Sequence, residues 1–151
     1  MVQASIQQVS LEAFLTIPET EPASEYVDGQ IHQKPMPQGK HSKLQTSLVS
    51  QINQWGAAEQ FAYGFTELRC TVGGRSVVPD IAVFEWSNLP LDSSGEILGR
   101  VEQEPDWSIG ILSPEQALTR PMDNLLFLLQ QGMSLALTRE LFLHFQPTLP
   151  P

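Results

Sequence analysis

Asp80 is the residue of this chain best placed for metal-assisted hydrolysis of a phosphate ester. It follows Pro79 and precedes the apolar run Ile81 to Phe84, whose β-branched and aromatic residues predict a strand. Two carboxylates on neighbouring strands can hold a hard cation such as Mg²⁺ through oxygen, and that cation then activates water and polarises the phosphate. The next strand-like segment, Trp107 to Leu112, contains no acid and has Gly110 near its centre. The pattern therefore indicates half of a metal site.

The segments around Asp80 resemble the Uma-type restriction endonuclease family of the PD-(D/E)XK nuclease superfamily. The resemblance covers roughly residues 10 to 137. It implies an α/β, restriction-endonuclease-like fold with a mixed central sheet flanked by helices, and Mg²⁺ or Mn²⁺ as cofactor if the protein is active. The motifs that carry the resemblance are Glu25–Gln30 (EYVDGQ), Lys34–His41 (KPMPQGKH), Phe65–Asp80 (FTELRCTVGGRSVVPD) and Pro105–Gln116 (PDWSIGILSPEQ).

Two departures from the family pattern affect the chemistry. The resemblance implies a glutamate at the position of Gly110 and a lysine at that of Asn124. Asp80 alone would hold Mg²⁺ weakly, and loss of a cationic donor to the transition state typically costs ~100-fold or more in rate. The leading hypothesis is therefore a catalytically degenerate homologue of these endonucleases.

The remnant site is expected to contain three further residues. By resemblance, Glu25 and His41 lie at site positions, and Glu67 precedes Asp80 within the long motif. Each also has a structural interpretation: Asp80 as the residue that pins a strand start, His41 as an ordinary helix histidine, and Glu67 as an edge acid paired with a nearby cation. The candidate cations for that pair are Arg69 and Lys43.

Two alternatives remain open. The first is an active Mg²⁺-dependent DNA endonuclease in which Glu25 or Glu67 compensates for the missing acid and Lys43 or Arg120 for the missing lysine. The second is a non-enzymatic, dimeric interaction module. The lysines Lys34, Lys40 and Lys43 all precede Asp80, so the sequence predicts no lysine close to the site on its downstream side.

The composition predicts one soluble domain. The chain has 151 residues, of which 41% are hydrophobic, and this suffices for one buried core. A single domain over residues 1–146 with a disordered tail at 147–151 is expected. A cytoplasmic location and no membrane partner are also expected, because no segment resembles a membrane span or a signal peptide. Cys70 is the only cysteine in the sequence, so an internal disulfide is excluded, and Cys70 is expected to be a buried thiol.

The net charge of −9 disfavours DNA as a partner, although it does not exclude DNA. Phosphate contacts come mainly from clustered Lys and Arg, and the chain has only eight of these residues.

Periodicity and turn residues predict the elements that must position the site. Gly73-Gly74 indicates a hairpin. The helix at 41–55 is supported by apolar residues at helical spacing, including Leu44, Leu48 and Trp55. The predicted elements are helices at 10–15, 41–55 and 121–131, strands at 26–31 with a turn at Asp28-Gly29, 61–72, 76–84 and 107–112, and a loop at 85–106.

The third helix also predicts an assembly. Leu125 to Leu129 is apolar on nearly every side, which is typical of a helix that is deeply buried or half of an interface. A small domain has little room to bury such a helix completely, so a homodimer is expected.

Overall fold

The computed structural model describes residues 8–112 and 119–140 as an arrangement of three helices and eight strands. A 3₁₀ turn at Trp86–Asn88 adds to these elements. The helices are α1 (Leu11–Thr16), α2 (Gly39–Ala58) and α3 (Thr119–Gln131). The strands are β1 (Ser24–Val27), β2 (Gln30–Gln33), β3 (Ala62–Thr66), β4 (Cys70–Val72), β5 (Arg75–Val77), β6 (Ile81–Glu85), β7 (Trp107–Leu112) and β8 (Leu135–Glu140). The predicted tail at 147–151 lies outside the described residues.

The strands form two four-stranded sheets. The hairpin sheet has the order β2-β1-β5-β4 and is antiparallel throughout. The mixed sheet has the order β3-β6-β7-β8, with β8 parallel to β7 and the other pairs antiparallel. The expected α/β class with a mixed sheet and flanking helices is confirmed, and the hairpin sheet is an addition to it.

The turn predicted at Gly73-Gly74 is confirmed, but the two long strands predicted on either side of it are wrong, because each is broken into two shorter strands. Both glycines have positive φ, and β4 pairs with β5 across them. The strand predicted at 61–72 is broken at Glu67, whose φ is +52°, and the strand predicted at 76–84 is broken at Pro79, which has no amide N–H. Because of these breaks, the halves of the two predicted strands that lie farther from the turn, β3 and β6, belong to the mixed sheet.

Helix α1 begins as the sequence predicts. The side chain of Ser10 accepts a hydrogen bond from the amide of Ala13, which satisfies one of the free N–H groups of the first turn. Phe14 is buried, and its ring lies 5.6 Å from that of Tyr26, which anchors the helix to β1.

Helix α2 is longer than predicted and covers the mixed sheet. Its side chains Leu48, Val49 and Ile52 pack on one face of the sheet, against a core cluster of Ala62, Ile81, Val83 and Ile109. The predicted apolar stripe ends early, because Trp55 is 75% exposed.

The predicted loop at 85–106 packs on the other face of the mixed sheet. Val101 and Leu89 contact Cys70, Ala82 and Phe84 in a second cluster. Cys70 is fully buried, as predicted, and desolvation raises the pKa of its thiol to about 12. The thiol therefore stays protonated and packs as a small apolar group.

Helix α3, whose sequence is apolar on nearly every side, is buried on one side only. Leu125 and Leu128 are buried, whereas Leu126 is 55% exposed. Met122 and Leu129 are also exposed and lie one turn before and one turn after Leu126. We call Met122, Leu126 and Leu129 the α3 strip.

Candidate active site

Asp80 lies one residue before β6, an inner strand of the mixed sheet that pairs with β7. The register of the two strands pairs Ile81 with Ile109, so the next facing residues are Asp80 and Gly110. Oδ2 of Asp80 accepts a hydrogen bond of 2.7 Å from the amide of Ile111. The predicted adjacency of Asp80 and Gly110 on neighbouring strands is confirmed.

The ammonium group of Lys34 contacts Asp80 from the hairpin sheet. Nζ of Lys34 lies 3.1 Å from Oδ1 of Asp80, 2.8 Å from Oε2 of Glu67 and 2.9 Å from the carbonyl oxygen of Val78. Burial lowers the pKa of Lys34, but the charges of Asp80 and Glu67 outweigh this effect and raise the pKa overall. Lys34 is therefore a charged ammonium group at neutral pH.

Glu67 reaches the site through an unusual backbone conformation. It follows β3 with a φ of +52°, and its amide donates to the carbonyl oxygen of Asp80 over 3.3 Å. Nε2 of Gln45, on α2, donates to Oε1 of Glu67 at 2.9 Å and to the carbonyl oxygen of Asp80 at 2.7 Å. Gln45 thus holds the backbone of Asp80 and the side chain of Glu67 together.

His41 stands one turn before Gln45 on α2 and also contacts Asp80. Its Nε2 lies 3.4 Å from Oδ1 of Asp80, and its side chain is largely buried. Burial raises the pKa of Asp80, but the hydrogen bond from His41, the charge of Lys34 and the amide of Ile111 lower it, and the net shift is downward. Asp80 is therefore a carboxylate at neutral pH.

Glu25 forms a separate buried pair with Asn124. Its carboxylate accepts hydrogen bonds from the amide of Val78 at 2.8 Å and from Nδ2 of Asn124 at 3.0 Å. Burial raises the pKa of Glu25, and these two hydrogen bonds and the charge of Lys34 offset the effect only in part. The position at which the resemblance implies a lysine therefore faces Glu25.

Gly110 leaves room for a side chain. A Cβ atom built at this position would meet only Cδ1 of Leu125, at an ordinary contact distance of 3.5 Å. A Cβ atom therefore fits at position 110 without a clash.

The described residues do not fit a divalent cation in their present arrangement. Both oxygens of Asp80 and both of Glu67 accept hydrogen bonds from protein groups. Gly110 offers no side-chain oxygen. Within residues 8–112 and 119–140, no three His, Cys, Asp or Glu side chains are arranged to hold a metal ion.

The structure brings together most of the residues singled out from the sequence. Asp80, Glu67 and His41 form one cluster, and Glu25 with Asn124 lies beside it. The alternative interpretation of Glu67, as an edge acid paired with Arg69 or Lys43, is wrong, because Glu67 pairs with Lys34 and Arg69 pairs with Glu19.

The two candidate compensating cations lie elsewhere. Lys43 is exposed on α2, and the charge of Arg120 acts on His32, where burial and this charge together lower the pKa. Sequence reasoning missed Lys34 and Gln45. Gln45 has a signal, since it stands four residues after His41 on a predicted helix and shares its face. Lys34 opens the motif Lys34–His41, but nothing in that motif indicates a contact with Asp80, which lies 46 positions away.

A family model matches most of the chain. The family model Uma2, described as "Putative restriction endonuclease", matches residues 11–137. The chain belongs to this family of endonuclease-like proteins.

A solved structure matches closely as well. The chain is similar to a protein from Anabaena variabilis ATCC 29413 whose crystal structure is described as that of a "putative nuclease belonging to DUF820". The two share 48% identity with a TM-score of 0.85, over 87% of this chain and 74% of the other. No curated protein matches the chain.

Proposed function

We propose that this protein is a catalytically degenerate Uma-type endonuclease homologue that keeps the nuclease fold without efficient metal-dependent cleavage. The observation that carries the proposal is the state of the carboxylates. Asp80 faces a glycine across the strand pair, and all four carboxylate oxygens of Asp80 and Glu67 are engaged by protein donors. A cation would have to displace several of these hydrogen bonds to bind.

The charge distribution indicates that any binding to DNA is weak. The net charge is −9, and several of the eight Lys and Arg residues are neutralised by acids. Arg75, for example, contacts both Asp28 and Asp123, and Lys34 contacts Asp80 and Glu67. Paired cations are less available for counterion exchange with phosphate groups.

A nicking assay on supercoiled plasmid tests the proposal. The natural protein is expected to give no cleavage above background with Mg²⁺ or Mn²⁺, because Asp80 lacks a second acid on the facing strand. Asp80→Ala serves as the matched control and should behave identically. Robust cleavage by the natural protein that disappears in Asp80→Ala would overturn the proposal.

An active endonuclease is the second candidate, and the Lys34 contacts favour it. One lysine and two acids, Lys34, Glu67 and Asp80, meet with nitrogen–oxygen distances of 2.8 and 3.1 Å. An acid pair can hold Mg²⁺ or Mn²⁺ for phosphodiester hydrolysis, and a lysine can stabilise the charge that develops on the phosphate. Under this candidate, Glu67→Gln and Lys34→Met should each abolish a cleavage activity that the natural protein displays.

We further propose that the protein is a homodimer that buries the α3 strip. Met122, Leu126 and Leu129 are exposed and follow helical spacing, so together they form a continuous apolar surface. In the described residues no helix is both long and apolar enough to span a bilayer. A second copy of the chain can cover it symmetrically.

Light scattering coupled to size exclusion tests this assembly. The natural protein should have twice the 16.8 kDa chain mass, and Leu126→Glu should shift it to the monomer mass by placing a charge in the interface. Met36→Glu is the control, because Met36 is 69% exposed and lies outside the strip. A monomer mass for the natural protein at high concentration contradicts the proposal.

A further inference from the structure

We infer that the ammonium group of Lys34 is the resident cation of this site and closes it to divalent metals. The inference deepens the proposed function and rests on it, because it names what has taken the cation position in a degenerate site. It also explains how the carboxylates of Asp80 and Glu67 can lie close together, because the ammonium group contacts both and offsets their repulsion.

The number of oxygen atoms around Lys34 equals the number of hydrogen-bond donors on its ammonium group. A lysine side chain carries three N–H donors, and Nζ of Lys34 has three oxygen partners at 2.8–3.1 Å. The partners are two carboxylate oxygens, from Glu67 and Asp80, and the carbonyl oxygen of Val78. Carboxylate and carbonyl oxygens are also the ligands that hard divalent cations prefer. The same oxygens could therefore serve either cation, but not both at once.

The backbone holds Lys34 in this position. Lys34 directly follows β2, and its amide donates to the carbonyl oxygen of Ala23 over 2.8 Å, which extends the β1–β2 pairing by one residue. Pro35 comes next and restricts the backbone of Lys34 to extended conformations. The lysine side chain is only 18% exposed, so the ammonium group has little freedom to move into solvent.

Electrostatic repulsion prevents the ammonium group of Lys34 and a divalent cation from binding the same carboxylate oxygens together. Lys34 places one positive charge between two carboxylates, and a divalent cation at the same oxygens would lie within a few ångströms of that charge. Two cations at such a distance repel strongly in a partly buried site. The metal would have to expel the ammonium group first, and the free energy of that step reduces the metal affinity of the natural protein.

Manganese binding to the full-length chain tests the inference. Free Mn²⁺ is counted by electron paramagnetic resonance during titration of the natural protein, Lys34→Met and the control Lys40→Met, which removes an exposed lysine at the start of α2. Lys34→Met should bind Mn²⁺ at least ~10-fold more tightly than the natural protein, because it frees an oxygen cage with two carboxylates. Lys40→Met should bind like the natural protein.

A second variant locates the gained site. Adding Asp80→Asn to Lys34→Met should remove the gained affinity, since it removes one of the two charged ligands. Gained affinity that persists without the Asp80 carboxylate would overturn the inference, as would equal Mn²⁺ affinity in the natural protein and Lys34→Met.

Thermal unfolding covers the case in which Lys34→Met folds poorly. The variant should unfold at a lower temperature than the natural protein without metal, and Mn²⁺ should restore the loss in Lys34→Met while leaving the natural protein unchanged. Lys34→Gln, which keeps a hydrogen-bond donor, should show the same restoration. If neither variant gains stability from Mn²⁺, the inference is wrong.

A plasmid assay in the same samples separates this inference from the proposed function. Cleavage by the natural protein refutes the degenerate site. Absence of cleavage combined with no gain of Mn²⁺ binding in Lys34→Met refutes only the role of Lys34.

Discussion

A variant that carries both Gly110→Glu and Asn124→Lys is expected to bind Mn²⁺ and to nick plasmid DNA roughly 100-fold faster than the natural protein. The first change places a second carboxylate on β7 beside Asp80, where the space around the Gly110 Cβ direction is open apart from Leu125 at 3.5 Å. The second change adds a cationic donor beside Glu25, which now accepts from Asn124. Because acid and lysine act as a unit in catalysis, either change alone should have little effect.

The matched control for this gain is Gly110→Gln with Asn124→Lys, which has the same side-chain volume without the charge. It should neither bind Mn²⁺ nor nick DNA. Removal of Asp80 from the active variant should return cleavage to background. If the double variant folds, binds Mn²⁺ and yet shows no nicking, the residues at positions 110 and 124 are not sufficient for cleavage, and this part of the proposal is wrong.

The two engineered residues also bear on Lys34. With carboxylates at positions 67, 80 and 110, the site would carry more negative charge than one ammonium group can balance, so a divalent cation could enter without complete expulsion of Lys34. Addition of Lys34→Met to the double variant should then tighten Mn²⁺ binding further. The ratio of the Mn²⁺ affinities with and without Lys34→Met measures how strongly Lys34 competes with Mn²⁺ for the carboxylates.

The sequence predicts those parts of the fold that depend on local signals. Ser10 caps α1, Gly73-Gly74 makes the β4–β5 turn, and Gly132 follows the last residue of α3, all through interactions within a few residues. The strand from Trp107 to Leu112 is also predicted correctly, because both of its faces are largely buried and its residues are almost continuously apolar.

The division into two sheets could not be predicted in the same way. The breaks at Glu67 and Pro79 fall inside segments with strand-like composition, and which half joins which sheet depends on packing with β1 and β7. Gln45 reinforces the break from a distance, since it binds Glu67 and the carbonyl oxygen of Asp80 at once. A single sequence does not encode such contacts in its periodicity.

The residues of the candidate site also divide into those with a signal in the sequence and those that only the packing reveals. Asp80, Glu67 and His41 could be singled out because they lie in or near a recognisable motif. Lys34 also lies in one of these motifs, but its role could not be predicted, because its contact with Asp80 depends on how the hairpin sheet meets the mixed sheet. Chain order predicts no lysine close to Asp80 on its downstream side, and the fold instead brings an upstream lysine, Lys34, within 3.1 Å.

Gly56→Ala is expected to destabilise the protein by about 2 kcal/mol, although alanine normally favours a helix over glycine by about 1 kcal/mol. Gly56 lies in the last turn of α2, where Gln60 adopts a φ of +49° and the amide of Phe61 donates to the carbonyl oxygen of Gly56 at 2.8 Å. This tight connection presses the first residue of β3 against the helix. A Cβ atom at position 56 would lie 3.1 Å from the carbonyl carbon of Ala62 and closer still to its oxygen. Because the clash is with backbone, no rotamer change can relieve it.

Thermal or urea unfolding measures the effect, and α2 provides its own control. Gly39 is the first residue of the same helix, and a Cβ atom there would meet nothing within 4 Å. Gly39→Ala should therefore leave stability unchanged or raise it slightly, while Gly56→Ala lowers the unfolding midpoint by roughly 4–8 °C for a domain of this size. If Gly56→Ala is as stable as Gly39→Ala, α2 and β3 do not approach as closely as described. Since α2 carries His41 and Gln45, a shift of this helix would also move both donors away from Asp80 and Glu67, so Gly56 acts on the site through the position of α2.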